Sequence, residues 1–179
     1  MSESRPLRGA AGAPEGPATP LFGTGSLRMT TSAANQGFLV ATAAHNGTRL
    51  DAIKGLEYRA YRTASASPAQ QVSLQLGMDF DLTDSNTGFQ GRLVFEPYLT
   101  PATVNSGVWE TWNPLAGRWY ATGGAFSPSC SPTSTCTWAQ VLTNWPNAGI
   151  PNTAFGFVGF KAGSGWATFD GNVDGLVIN

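Results

Sequence analysis

From Gly25 onward, hydrophobic and polar residues alternate in short runs, and most runs are closed by Gly, Pro, Asn or Ser. Successive side chains of a strand point to opposite faces, so a period of two marks a strand with one buried side. The clearest case is 72–80, where Val72, Leu74, Leu76, Met78 and Phe80 take one face and Ser73, Gln75, Gly77 and Asp79 the other. Leu56, Tyr58 and Ala60 alternate in the same way with Glu57, Arg59 and Tyr61, and Leu27 and Met29 with Arg28 and Thr30. Further strands are expected at 37–42, 91–98, 108–112, 118–121, 154–160 and 170–178, about nine in all. Asn46-Gly47 reads as a hairpin turn, Asn113 to Gly117 as a turn, and Asp81 to Gly88 as a polar loop.

One segment breaks the period. Trp138, Val141, Leu142 and Trp145 fall at helical spacing, with Thr137 placed to cap the helix and Pro146 to stop it. That face is suited to lying on a sheet. The chain is therefore expected to be all-β, a sandwich or barrel of antiparallel strands with one short helix.

Composition narrows the picture. The chain has 179 residues, the size of one domain, with 22 Gly and 12 Pro acting against helix. Lys and Arg number 10 against 11 Asp and Glu, so no basic surface exists for neutralising phosphates, and no nucleic-acid partner is expected. No apolar run is long enough to span a bilayer as a helix, so membrane insertion is not expected either. Residues 1–22 carry Pro6, Pro14, Pro17 and Pro20 and read as a flexible or extended arm, leaving 23–179 as a single domain.

Cys130 and Cys136 stand in a Ser/Pro-rich loop with the only histidine, His45, far away in sequence. That excludes a zinc cluster and favours a local disulfide, hence an extracellular setting. Residues 1–20 have no continuous apolar stretch of the kind a secretory signal needs. Either a leader has been removed, or the protein leaves by another route, for example on a virion.

The opening Gly25-Ser-Leu-Arg-Met-Thr30 and the closing Phe169-Asp-Gly-Asn-Val-Asp-Gly-Leu-Val-Ile178 resemble the first and last strands of concanavalin-like and carbohydrate-binding-module jelly rolls. The segments 50–58, 93–98, 107–112 and 137–142 are similar to those of a family of secreted bacterial β-sandwich proteins without an established role. The resemblance implies a jelly-roll β-sandwich whose first and last strands pair. It implies no particular activity, because a sandwich hosts many.

Four chemistries are open. The first is a sugar platform of Trp109, Trp112, Trp119 and Tyr120 with Asn113 and Arg118 as polar partners, since sugars offer apolar faces rimmed by hydroxyls. Alternation already requires Trp109 and Glu110, and likewise Trp119 and Tyr120, to face opposite ways. The second is glycoside hydrolysis by Glu96 and Glu110, the only glutamates among aromatics on late strands. The third is a structural calcium ion held by Asp79, Asp81 and Asp84 with Asn86, or by Asp170 and Asp174 near the last strand. The fourth, a triad around His45, is set aside because a lone histidine beside a glycine turn is ordinarily a loop residue. The leading expectation is a non-catalytic module whose partner is a polysaccharide or cell-surface glycan, with no cofactor beyond calcium. The alternative is a structural subunit, such as a virion decoration protein or fibre, that packs against identical neighbours through its arm.

Overall fold

The computed structural model describes residues 20–123 and 129–179; positions 1–19 of the expected arm lie outside the described residues. The strands are β1 (Leu27–Thr31), β2 (Gly37–Thr42), β3 (Leu56–Ser65), β4 (Ser73–Gly77), β5 (Arg92–Phe95), β6 (Trp109–Trp112), β7 (Arg118–Thr122), β8 (Cys136–Thr137), β9 (Phe157–Gly163) and β10 (Phe169–Ile178). The helix α1 (Trp138–Asn144) lies between β8 and β9.

These strands form a four-stranded sheet, β1-β10-β3-β6, and a six-stranded sheet, β2-β9-β4-β5-β7-β8, antiparallel throughout. The first strand pairs with the last and the second with the penultimate, one pair in each sheet. This nested pairing is jelly-roll winding, and β7 and β8 extend the larger sheet beyond it.

The inner faces carry the residues the alternation selects. Tyr58, Ala60, Met29 and Val173 come from the smaller sheet, and Leu74, Leu76, Leu93, Phe95, Trp119, Val158 and Phe160 from the larger. Tyr58 packs on Phe160 at 5.2 Å and still satisfies its hydroxyl, which donates to the Val72 carbonyl at 2.8 Å. At one end of the sandwich the guanidinium of Arg62 is buried. It donates to the carbonyls of Pro68, Gln70 and Val104 and to Ser106 Oγ, fastening the β3–β4 and β5–β6 connections.

Some local signals act differently from their reading in isolation. Asn46-Gly47 makes a turn, with φ +86° at Gly47, but not a hairpin, because β2 and β3 belong to different sheets. The Gly47 N–H donates to Ile150 O, which directs the chain across the sandwich instead of back along β2. Asn113 likewise caps a short 3-10 turn through Leu115 N and Ala116 N as the chain crosses from β6 to β7. The strand expected from residue 154 starts at Phe157, because Gly156 N closes a turn on Thr153 O. The ladder of β4 stops at Gly77, and beyond it Asp79 exchanges both backbone bonds with Gly149.

The helix starts as expected. Thr137 accepts from Gln140 N while Gln140 reaches back to the Thr137 N–H, a complete capping box. The Cys130–Cys136 disulfide is formed and both residues are buried, with the adjacent residues 124–128 outside the described set. Closing so short a loop stabilises by about 2 kcal/mol in the chain-entropy account. Cys130→Ser/Cys136→Ser is expected to lose that amount in urea denaturation, and the native bond is expected to resist dithiothreitol until the fold opens.

At the other margin, β2 is an edge strand. Phe38, Leu39 and Val40 are 48%, 39% and 40% exposed, and a hollow of about 120 Å³ separates Phe38 and Val40 from Arg28, Met29 and Thr30 of β1.

Candidate functional site

The six residues of the expected aromatic platform do not share a face. Trp119 is 0% exposed on the inner side of β7, between Phe95 and Trp138, with its Nε1 donating to Pro114 O at 2.9 Å. Trp112 is buried on the inner side of β6, opposite Tyr58. Trp109 lies on the outer side of β6 against Tyr61, ring centroids 5.5 Å apart. Tyr120 lies on the outer side of the other sheet. Asn113 is committed to its turn, and Arg118 to the carbonyl and hydroxyl of Thr135. Alternation within each strand, compounded by the passage from sheet to sheet between β6 and β7, separates residues that are close in sequence.

The two glutamates are also apart. Glu96 follows β5 on the outer side of the larger sheet and accepts from the Tyr120 hydroxyl at 2.9 Å; burial and this carboxylate push the Tyr120 phenol far above its ordinary range. Glu110, on edge strand β6 of the smaller sheet, accepts from Asn105 N at 2.8 Å, from Asn105 Nδ2 at 3.0 Å and from Gln71 Nε2 at 3.3 Å. His45 sits in its turn, partly buried, with burial holding the imidazole below its usual range.

Of the acidic residues, Asp170 makes a two-point ion pair with Arg28 at 2.9 and 2.7 Å on the smaller sheet. Asp174 accepts from Phe22 N and Gly175 N. Asp79, Asp81 and Asp84 lie in the β4–β5 connection. There each side chain closes a turn on a backbone N–H two residues ahead: Asp79 on Asp81, Asp81 on Thr83, Asp84 on Asn86, and Asn86 on Gly88. Among the described residues, no three His, Cys, Asp or Glu side chains are grouped to hold a metal ion.

What this connection does build is one wall of a cleft of about 340 Å³. Asp81, Asp84 and Asn86 line it on one side, and Asn144, Trp145 and Asn147, at and just beyond the end of α1, line it on the other. Three features fix the walls. Asp79 and Gly149 pair through their backbones, Leu82 N donates to Asn147 O at 3.1 Å, and the Trp145 indole packs edge-on against Phe80 at 4.9 Å. Arg49, paired with Asp51, also donates to Pro146 O at 2.8 Å. Asn144 Nδ2 contacts both sulfurs of the disulfide, tying the cleft to the loop behind it.

The Asp81 carboxylate is held below its ordinary range, chiefly by the Thr83 hydroxyl and N–H, with smaller help from Asn147 and Arg49. It stays an ionised acceptor and is a poor proton donor. An indole bordered by carboxylates and carboxamides offers a ligand a flat apolar surface with donors and acceptors at its rim. Hydrophobic periodicity assigns Trp145 only to the apolar face of the helix. The one local sign of the second wall is the run Asn144-Trp-Pro-Asn147, in which amides flank an aromatic at a helix end. No family model, curated protein or solved structure matches the chain.

Proposed function

We propose that the protein is a non-catalytic extracellular module that recognises carbohydrate, taking a sugar in the cleft beside Trp145. The make-up of that cleft carries the reading: the rings of Trp145 and Phe80, two carboxylates and four carboxamides around a hollow of about 340 Å³. Small-ligand sites span about 300–1,000 Å³ and combine apolar surface with a few convergent polar groups. Ionised carboxylates accept from hydroxyls, and carboxamides both donate and accept, which matches the alternating hydroxyls of a pyranose. The buried disulfide supports an oxidising location. A glycosidase reading has less support, because Glu96 and Glu110 stand on different sheets, each engaged by neighbouring side chains.

Titration of soluble polysaccharides and oligosaccharides, followed by tryptophan fluorescence and calorimetry, tests this reading. At least one glycan is expected to bind saturably. Trp145→Ala is expected to weaken binding by about 2 kcal/mol, roughly thirty-fold, as for an aromatic hot spot. Asn147→Ala, which leaves the Trp145–Phe80 packing in place, is expected to weaken it several-fold, and Trp109→Ala not at all. No binding across a broad glycan panel, or equal binding by Trp145→Ala and Asn147→Ala, would remove the proposal.

A further inference from the structure

The outer side of the six-stranded sheet carries charged groups that the cleft does not use. Register places Gly77 between Phe157 of β9 and Arg92 of β5, Gln75 between Gly159 and Val94, and Ser73 opposite Lys161. Gly77 has a steric reason: a Cβ there would come within 2.5 Å of the Phe157 ring. With no side chain between them, the Arg92 guanidinium lies over that ring, 5.6 Å from its centroid. Its Nη1 donates to Gln75 Oε1 at 3.3 Å, and its Nε is buried without an acceptor.

Gln75 is 4% exposed, although it points away from the core. Among the described residues no acceptor meets its carboxamide nitrogen, and no carboxylate forms an ion pair with Arg92 or Lys161. The Lys161 ammonium is pushed below its ordinary range by burial and then by the positive charge of Arg92, with Glu96 opposing. Two cations and a free amide N–H therefore share one face, and the nearby carboxylate of Glu96 is already bonded to Tyr120.

We propose that this face binds a carboxylate among Arg92, Gln75 and Lys161, and that the ligand is an acidic polysaccharide of the uronate type. Arg92 and Lys161 outnumber the one carboxylate of Glu96 on this face, which favours an anion, and a guanidinium and an ammonium suit a carboxylate. Tyr120, half-buried on the same outer face two strands from Gln75, offers a neighbouring sugar an aromatic ring, while Val94 between them is only 1% exposed. This site is separate from the cleft and stands on different residues.

Calorimetry at low salt with an oligogalacturonate, set against its fully methyl-esterified form, monomeric galacturonate and poly-glutamate, tests it. The oligogalacturonate is expected to bind at least ten-fold more tightly than each of the other three. Lys161→Gln and Gln75→Leu, each with an unchanged thermal melt, are expected to lower its affinity at least ten-fold, and Trp145→Ala to leave it unchanged. Equal binding of the ester would overturn the carboxylate, and equal binding of the monomer would leave an adventitious anion only. Poly-glutamate binding as tightly would make the partner an acidic peptide. Undiminished binding by folded Lys161→Gln, or no uronate binding at all, would remove the site.

Discussion

Arg62→Met is expected to cost about 3–5 kcal/mol of folding free energy, as much as any single substitution in the chain. Arg62 is 4% exposed and points inward from β3, where the alternation places Leu56, Tyr58 and Ala60. Among the described residues no carboxylate forms an ion pair with it. Its donors instead meet three backbone carbonyls, at 2.6 Å (Pro68), 2.8 Å (Gln70) and 3.0 Å (Val104), and Ser106 Oγ at 2.9 Å. Burial lowers the affinity of this guanidinium for its proton, opposed by Glu110, so the cation is kept by its hydrogen bonds rather than by solvent. Methionine preserves the aliphatic stem but leaves those carbonyls without donors, at about 1–3 kcal/mol for each that water cannot reach. Urea denaturation of the variant measures the loss. A change below about 1 kcal/mol would mean that water replaces the guanidinium and that the two connections do not depend on it.

Trp119→Ala is expected to cost a similar amount, about 3–5 kcal/mol, by a different mechanism. Its ring fills the space between Phe95 (5.7 Å) and Trp138 (5.3 Å), the latter belonging to α1. Truncation leaves a cavity under the helix and takes the indole donor from Pro114 O. Because α1 also carries one wall of the cleft, the variant is expected to lose near-UV ellipticity and sugar binding together. Trp119→Phe is expected to recover most of the stability. If Trp119→Ala melted at the wild-type temperature, α1 would owe its position to contacts other than this ring.

Alternation makes much of the strand interiors legible: β3 buries Leu56, Tyr58 and Ala60 with Arg62 added to the same face, and β1 buries Met29 and half-buries Leu27. By contrast, β4 buries Leu74 and Leu76 and also Ser73, Gln75 and Gly77 of its outer face. The helix is equally legible, because Thr137, Gln140 and Pro146 act locally. Membership of one sheet or the other is not, since it depends on which distant strand supplies hydrogen bonds. Asn46-Gly47 therefore looks like a hairpin while joining strands of opposite sheets, and Trp109 and Tyr120 look like parts of one platform while standing on the outer faces of opposite sheets. The cleft is half visible. Asp81 and Asp84 stand out as oxygen-rich, but their opposite wall, Asn144 to Asn147, arrives through long-range contacts: Asp79 with Gly149, Leu82 with Asn147, and Phe80 with Trp145. The outer side of the larger sheet is hidden for a related reason: Gln75, Arg92 and Lys161 are single polar positions on three strands, and only register gathers them.

Strand β2 has a consequence for how the protein behaves in bulk. Its six residues, Gly37 to Thr42, include no charge and no proline, and one row of its amides and carbonyls faces water. Edge strands ordinarily keep like strands away with lysine, proline or a bulge. Nothing of that kind guards Phe38, Leu39 and Val40, so crowding favours edge-to-edge stacking of whole sandwiches, and Leu39→Lys, on the outer side, is the simplest insulation against it.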